Sequence, residues 1–205
     1  MPNWVDNKLS IETDEKTIKD IKYRVSNIGE HEGVEGYSIA TNLYPLPHEL
    51  RYVSGTGDNV EYFLLQDKIV RPPKIDENYF EIKNGKDPRW KTRPLTNGEK
   101  NKLIMEHGAT NWYDWNTLNY GTKWGDVDTE LIVDHEDYLE FVFQSAWSPA
   151  IKLAEKISKE FKAKVVLKHY SFENMDEGKL VFRNGRCVEQ VWKELNPDLR
   201  TVKAN

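Results

Sequence analysis

The 205-residue chain is 38% hydrophobic and 12% aromatic, enough apolar content to bury a core, so a compact globular protein is expected over a disordered one. Its 34 acidic and 29 basic residues give a net charge of −5 with no basic block. That balance disfavours nonspecific binding to nucleic acid or anionic membrane, and it is too slight and scattered for a mimic of DNA.

Cys187 is the only cysteine, which excludes an intramolecular disulfide, a cysteine-rich zinc site and a cysteine-ligated iron–sulfur cluster. The opening Met1-Pro2-Asn3-Trp4-Val5-Asp6-Asn7 has neither the basic region nor the apolar run of a signal peptide, and no later stretch is apolar for long enough to span a bilayer. A cytosolic protein with no membrane partner is the expectation.

In chain order, Asn7 to Glu12 alternates apolar Leu9 and Ile11 with polar neighbours, the period of a strand with one buried face. Thr13 or Asp14 can cap a following helix in which Ile18, Ile21, Val25 and Ile28 recur at helical spacing before Gly29 ends it. From about residue 30 to 110 the pattern breaks into short apolar runs punctuated by Tyr44-Pro45-Leu46-Pro47, Arg71-Pro72-Pro73 and Asp87-Pro88, which reads as an insertion. One helix is predicted inside it, from Thr96 or Asn97 to His107, closed by Gly108.

Regularity returns with a strand near Thr122 to Ile132 and another at Tyr138 to Gln144, expected to form a hairpin. Ser148-Pro149 has the chemistry of a helix start, and Ile151, Ala154, Ile157 and Phe161 make the stripe that follows. Lys164 to Tyr170 is a further strand, Ser171 to Gly178 a polar loop, and Lys179 to Phe182 a strand ending at the turn dipeptide Asn184-Gly185. The predicted fold class is α+β. Its order is that of a ferredoxin-like split β-α-β antiparallel sheet with two helices on one face, a large insertion after the first helix, and a single domain over residues 1–205.

The run Trp112-Tyr113-Asp114-Trp115-Asn116-Thr117-Leu118-Asn119-Tyr120-Gly121-Thr122-Lys123-Trp124 is unlike a core strand. Trp and Tyr carry polar handles that need partners when buried and are enriched where proteins meet ligands. Two readings follow: the rings fill a seam beneath the insertion, or Trp112, Trp115 and Trp124 form a stacking wall. In the second, Asn116, Asn119 and Thr122 read polar edges and Lys123 supplies charge.

Several landmarks carry a family resemblance. Met1-Pro2-Asn3-Trp4 with Asn7 and Leu9, Pro45-Leu46-Pro47 with Glu49-Leu50, Trp115-Asn116 before Gly121-Thr122-Lys123-Trp124, and Phe143-Gln144-Ser145-Ala146-Trp147-Ser148-Pro149 together resemble the YubB-type ferredoxin-like proteins of phages and mobile plasmids. The resemblance runs to about Gly185 and departs at Val5 and Tyr120. It implies the fold and a mobile-element origin, and no iron–sulfur cofactor.

Catalytic signals are weak, and no catalytic residue is assigned. Asp134-His135-Glu136-Asp137 reads as a charged turn, since adjacent residues at a strand end diverge and metal ligands must converge. His31 between Glu30 and Glu32, and His107 after Glu106, lack the His-x-x-x-His spacing of a helical zinc site. Ser54-Gly55-Thr56-Gly57-Asp58-Asn59 lacks the ending of a phosphate loop and reads as a hairpin tip. Cys187 reads as a structural or incidental thiol and His169 as a hydrogen-bonded sheet histidine. Phe141 and Phe143 are expected in the core, so the aromatic sheet face of RNA-recognition motifs is not predicted and a nucleic-acid partner is disfavoured.

The leading expectation is thus a non-enzymatic accessory protein, without cofactor or metal, that counters host defence. It would sequester either a small nucleotide-type ligand, with Lys123, Arg71, Arg89 or Arg93 on phosphate, or a host defence protein. The alternative is a nucleotide-processing hydrolase or transferase using His169 or His135, and a third reading is an assembly protein with a large apolar self-interface.

Overall fold

The computed structural model describes residues 3–26, 36–72 and 87–195. Expectations placed on Met1, Pro2, Ile28, Gly29, Glu30, His31, Glu32 and Pro73 lie outside the described residues. The chain divides into two compact units, Met1–Pro45 with Leu118–Asn205, and Leu46–Thr117.

The elements begin with β1 (Trp4–Glu12), α1 (Glu15–Val25), α2 (Ile39–Leu43) and a short 3-10 turn (Glu49–Tyr52). Next come β2 (Val53–Thr56), β3 (Asn59–Leu65), β4 (Lys68–Val70), β5 (Trp90–Pro94), α3 (Asn97–His107) and α4 (Trp112–Tyr120). The chain closes with β6 (Val127–His135), β7 (Tyr138–Ala146), α5 (Ile151–Glu160), β8 (Lys164–Ser171), β9 (Asp176–Arg183) and β10 (Arg186–Glu194).

In the first unit the described strands form a six-stranded antiparallel sheet in the order β10-β9-β8-β1-β7-β6. Strand alternation divides its side chains between two faces. Leu9 lies between Phe141 and Leu167 in register, and Ile11 between Leu139 and Val165, all of them buried. Ile18, Ile21 and Val25 of α1 and Leu153, Ala154 and Ile157 of α5 are buried as well. Arg24 of α1 donates to Glu160 of α5 at 3.2 Å, which ties the ends of the two helices together. Phe141 and Phe143 are 0% and 3% exposed, core residues as their alternation predicts.

Local chemistry sets the element ends. The Asp14 carboxylate accepts the Thr17 backbone N–H at 3.1 Å and caps α1. The Ser148-Pro149 prediction fails in detail, because the Ser148 hydroxyl donates to the Gly121 carbonyl at 2.7 Å and Ala150 holds the cap position. Helix α5 therefore starts at Ile151, which is only half-buried, as is Phe161. The strand expected from Thr122 begins at Val127 instead. Its first expected residue is a loop residue whose hydroxyl donates to the Ala146 carbonyl at 2.6 Å. Asn184 and Gly185, with φ of 50° and 73°, make the tight turn their sequence predicts and lead into β10, a strand with every residue exposed.

In the second unit β3 is central, pairing with β2 and β4 along successive halves of one edge and with β5 on the other. The Ser54 to Asn59 stretch is the β2–β3 hairpin turn. Helix α3 opens on a reciprocal capping box, in which Thr96 accepts the Glu99 N–H and Glu99 accepts the Thr96 N–H at 2.8 Å. It ends at Gly108 with φ of 78°, a left-handed conformation that glycine adopts without strain. The Asn111 side chain accepts the Asp114 N–H at 2.9 Å and so caps α4.

Candidate functional site

The aromatic run folds into α4 and the loop after it, and the seven residues expected to bind ligand fall in both units. Trp112, Trp115 and Asn116 belong to the second unit and Asn119, Thr122, Lys123 and Trp124 to the first. Trp115 is 7% exposed, and Trp112 is half-buried with its ring edge-on to Tyr113 at 5.8 Å. Asn116 is half-buried. Asn119 accepts from Lys156 Nζ at 2.8 Å, and Thr122 is buried with its hydroxyl on backbone carbonyls.

Trp124 is the exposed one of these seven residues. It lies tilted against Trp4 at 5.8 Å between ring centroids, with Lys123 Nζ 4.7 Å from its own centroid. The arginines expected on phosphate are engaged within the second unit. Arg89 forks onto Asp87, and Arg93 onto Glu99 at 2.8 and 3.0 Å. Arg71 lies over the Tyr52 ring.

The other face of the six-stranded sheet has a different character. Along β1 the side chains opposite the buried set are Trp4, Asp6, Lys8, Ser10 and Glu12. Lys8 pairs in register with Lys168 of β8, and Lys168 with Lys179 of β9, so three lysines occupy directly paired positions on adjacent strands. Val142 extends this row into β7 and Val191 into β10. Two residues along the strands, Tyr170, Asp6 and Gln144 make the next row, with Gln144 Nε2 donating to Asp6 at 3.0 Å.

Like charges placed opposite one another destabilise a sheet, so the row is a locally unfavourable arrangement. Two of its members are compensated. Lys8 donates to Glu140 at 2.9 Å and Lys179 to Glu189 at 2.7 Å, whereas exposed Lys168 has no ion pair among the described residues. Glu140, 14% exposed, also accepts from Ser10 and from Tyr138, each at 2.8 Å. Burial works to raise its carboxyl, but the hydrogen bonds from Lys8, Tyr138 and Ser10 prevail and hold it below the ordinary value. A carboxylate so committed fixes Lys8 in place and is a poor proton acceptor.

Among the described residues, the two larger grooves on this face are shallow and flank Lys168. One, about 440 Å³, is lined by Asp6, Lys8, Glu130, Val142, Gln144, Lys168 and Tyr170, and the other, about 410 Å³, by Lys168, Glu177, Lys179, Glu189, Val191 and Lys193. Lys168 and its neighbour His169 line both.

His169 departs from its expectation as a hydrogen-bonded histidine. It pairs in register with Asn7 and Gly178, its side chain is 0% exposed, and neither ring nitrogen has a hydrogen-bond partner among the described residues. The Trp192 ring covers it at 4.2 Å between centroids, and Asp176 stands 3.8 Å from Nδ1. Burial pushes this imidazole down, against the pull of Asp176 and Glu177, and so favours the neutral form.

The Asp134 to Asp137 segment is the charged turn its sequence predicts, with His135 Nδ1 2.6 Å from Asp137. Lys22 joins it by an ion pair to Asp134. Among the described residues no three His, Cys, Asp or Glu side chains are grouped so as to hold a metal, and no helix is long and apolar enough to cross a membrane. Cys187 is exposed on β10.

No curated protein matches the chain. The crystal structure of the protein Api92 from Yersinia pseudotuberculosis is similar to it at 14% identity, with a TM-score of 0.49, covering 96% of this chain and 100% of that one. The family model described as the ferredoxin-like domain in Api92-like protein matches residues 119–203. This overturns the YubB-type resemblance. Some of the landmark residues that suggested it serve the fold: Gly121 adopts φ of 81°, Thr122 ties its loop to Ala146, and Ser148 ties the start of α5 to Gly121. Residues 119–203 are thus similar to a ferredoxin-like domain, with mixed α and β content and antiparallel strands.

Proposed function

We propose that this protein binds a nucleotide-type ligand, without transforming it, on the exposed face of the six-stranded sheet. The observation that carries the reading is the lysine row, Lys8-Lys168-Lys179, bordered by valines and set beside an aromatic end of the same face. Tyr170 lies two residues from Lys168 along one strand, about 7 Å, and Trp4 two residues from Asp6 along the next. A planar base stacked at Tyr170, with its polar edge toward Asp6 and Gln144, places its phosphate over Lys168. Trp124 and Lys123 contribute through their contact with Trp4. This retains two members of the aromatic run expected to bind ligand and leaves Trp115 and Thr122 to the core.

The same reading takes β1-α1 and β7-α5-β8 as the two halves of a split β-α-β arrangement, with the second unit, Leu46–Thr117, inserted between them in sequence. The expectation of a counter-defence role rested on the YubB-type resemblance and is not carried further. A nucleotide-processing activity needs a base beside the phosphate position. Glu140 is committed to three donors there, and His169 is covered by Trp192.

Native mass spectrometry of the full chain with the four common nucleoside monophosphates tests the proposal. An adduct of unaltered nucleotide mass is expected, weakened about 5- to 150-fold by Tyr170→Ala, which corresponds to the ~1–3 kcal/mol of one base–aromatic stack. A processed nucleotide refutes the non-enzymatic reading. Absence of any adduct, or an adduct unaffected by Tyr170→Ala, refutes the site.

A further inference from the structure

We propose that the ligand carries one negative charge, as in a phosphodiester such as a cyclic mononucleotide, and is neither a nucleoside triphosphate nor a nucleic-acid strand. This rests on the nucleotide-binding reading and narrows it by charge. Of the row's three lysines, Glu140 compensates Lys8 and Glu189 compensates Lys179, which leaves Lys168, without an ion pair among the described residues, as the row's cation for a ligand to neutralise. Around the two grooves, Asp6, Asp128, Glu130, Glu177 and Glu189 outnumber Lys8, Lys168, Lys179 and Lys193.

A single phosphate charge at Lys168 meets attraction. Further charges extending from it run into Asp6 and Glu130 toward β6 or Glu177 and Glu189 toward β10, since strands stand only ~4.8 Å apart. A polyanion gains affinity by neutralising several phosphates at once, and in the lysine row only Lys168 has no ion pair among the described residues, while Lys193 of the second groove stands opposite Glu177 in register. The aromatic and amide groups beside Lys168 suit a base. A phosphodiester unites one base with one charge, whereas a triphosphate adds charge and gains no contact.

The test is isothermal titration calorimetry of the full chain against three probe sets: the four 3′,5′-cyclic mononucleotides, the matching triphosphates and the matching nucleosides. At least one cyclic mononucleotide is expected to bind tenfold or more tightly than its triphosphate and than its nucleoside. Lys168→Gln should erase the advantage over the nucleoside while leaving nucleoside binding within twofold. That exposed substitution leaves the core untouched, and an unchanged circular dichroism spectrum verifies folding. A triphosphate that binds as tightly as the cyclic form, or tighter, overturns this inference and leaves the nucleotide-binding reading standing. Binding of no probe overturns both, and tight binding insensitive to Lys168→Gln overturns the placement of the charge.

Discussion

Substituting Gly178 by alanine probes whether the histidine under Trp192 is held where it lies. A Cβ at this position falls 2.2 Å from His169 Nε2, far inside any real contact, and 3.0 Å from both Cδ2 and Cε1, at the limit of one. Relief requires the ring or strand β9 to move by more than 1 Å on the order-of-magnitude scale of normal van der Waals contact. The ring cannot swing away cheaply, because its side chain is 0% exposed and Trp192 lies against it at 4.2 Å. Overpacking a well-filled site costs ~1–3 kcal/mol, and each kcal/mol lowers the melting temperature of a chain this long by roughly 2–4 °C.

A double-mutant cycle separates this clash from any intrinsic effect of alanine in a strand. In a His169→Ala background the obstructing ring is gone, so Gly178→Ala should change stability by less than about 0.5 kcal/mol, giving a coupling of ~1–3 kcal/mol. Urea unfolding followed by far-ultraviolet circular dichroism measures all four corners of the cycle. Near-ultraviolet circular dichroism reports whether Trp192 loses its fixed environment in Gly178→Ala. Equal costs in the two backgrounds, or no cost in the native one, would refute the packing argument.

Lys168→Gln should raise stability by about 0.2–1 kcal/mol, because it removes the middle charge of a like-charged row, and urea unfolding of the variant checks this. A loss of stability would mean that Lys168 is compensated in a way that undermines its availability to a ligand. In the second unit, hydrogen bonds from Arg93, with those of Thr96, hold the Glu99 carboxyl at about 2, against an ordinary 4.5. A depressed carboxyl contributes stability above its unfolded value and loses it as pH falls through the folded one. The start of α3 should therefore weaken between pH 4.5 and 2, and Glu99→Gln should remove that dependence. A nuclear magnetic resonance titration of the Glu99 side chain with a midpoint near 4.5 would contradict the fork with Arg93.

Much of the framework is legible in the sequence because single elements carry their own signals. Alternation at Leu9 and Ile11, and again at Leu139, Phe141 and Phe143, predicts β1 and β7. Thr96, Glu99 and Gly108 bound α3, and Asn184-Gly185 makes the turn into the edge of the sheet. Prediction fails where a side chain has two possible partners. Ser148 can cap a helix, yet its hydroxyl goes to Gly121, a choice made by tertiary contact. Strand β10 gives no alternating signal, since every residue along it is exposed. The aromatic run is a helix and its following loop, which contact with neighbouring residues decides and spacing alone does not.

The candidate site is a different matter, because it is a property of register. Lys8, Lys168 and Lys179 are unremarkable as single residues on exposed strand positions, the ordinary fate of a lysine. They become a row only when β8 pairs with β1 at Lys168 opposite Lys8, and with β9 at Lys179 opposite Lys168. A slip of one residue in either ladder would turn a lysine onto the buried face, so the burial of Leu9, Leu167 and Leu180 that fixes the register also fixes the charge row. The core thus enforces an arrangement that electrostatics alone would disperse. Two lysines are relieved by glutamates on the neighbouring strand, and among the described residues the third is not. An imbalance of that form, next to Tyr170 and an exposed groove, gives the face an affinity for one anionic group at a definite place, where the net charge of −5 predicts only repulsion.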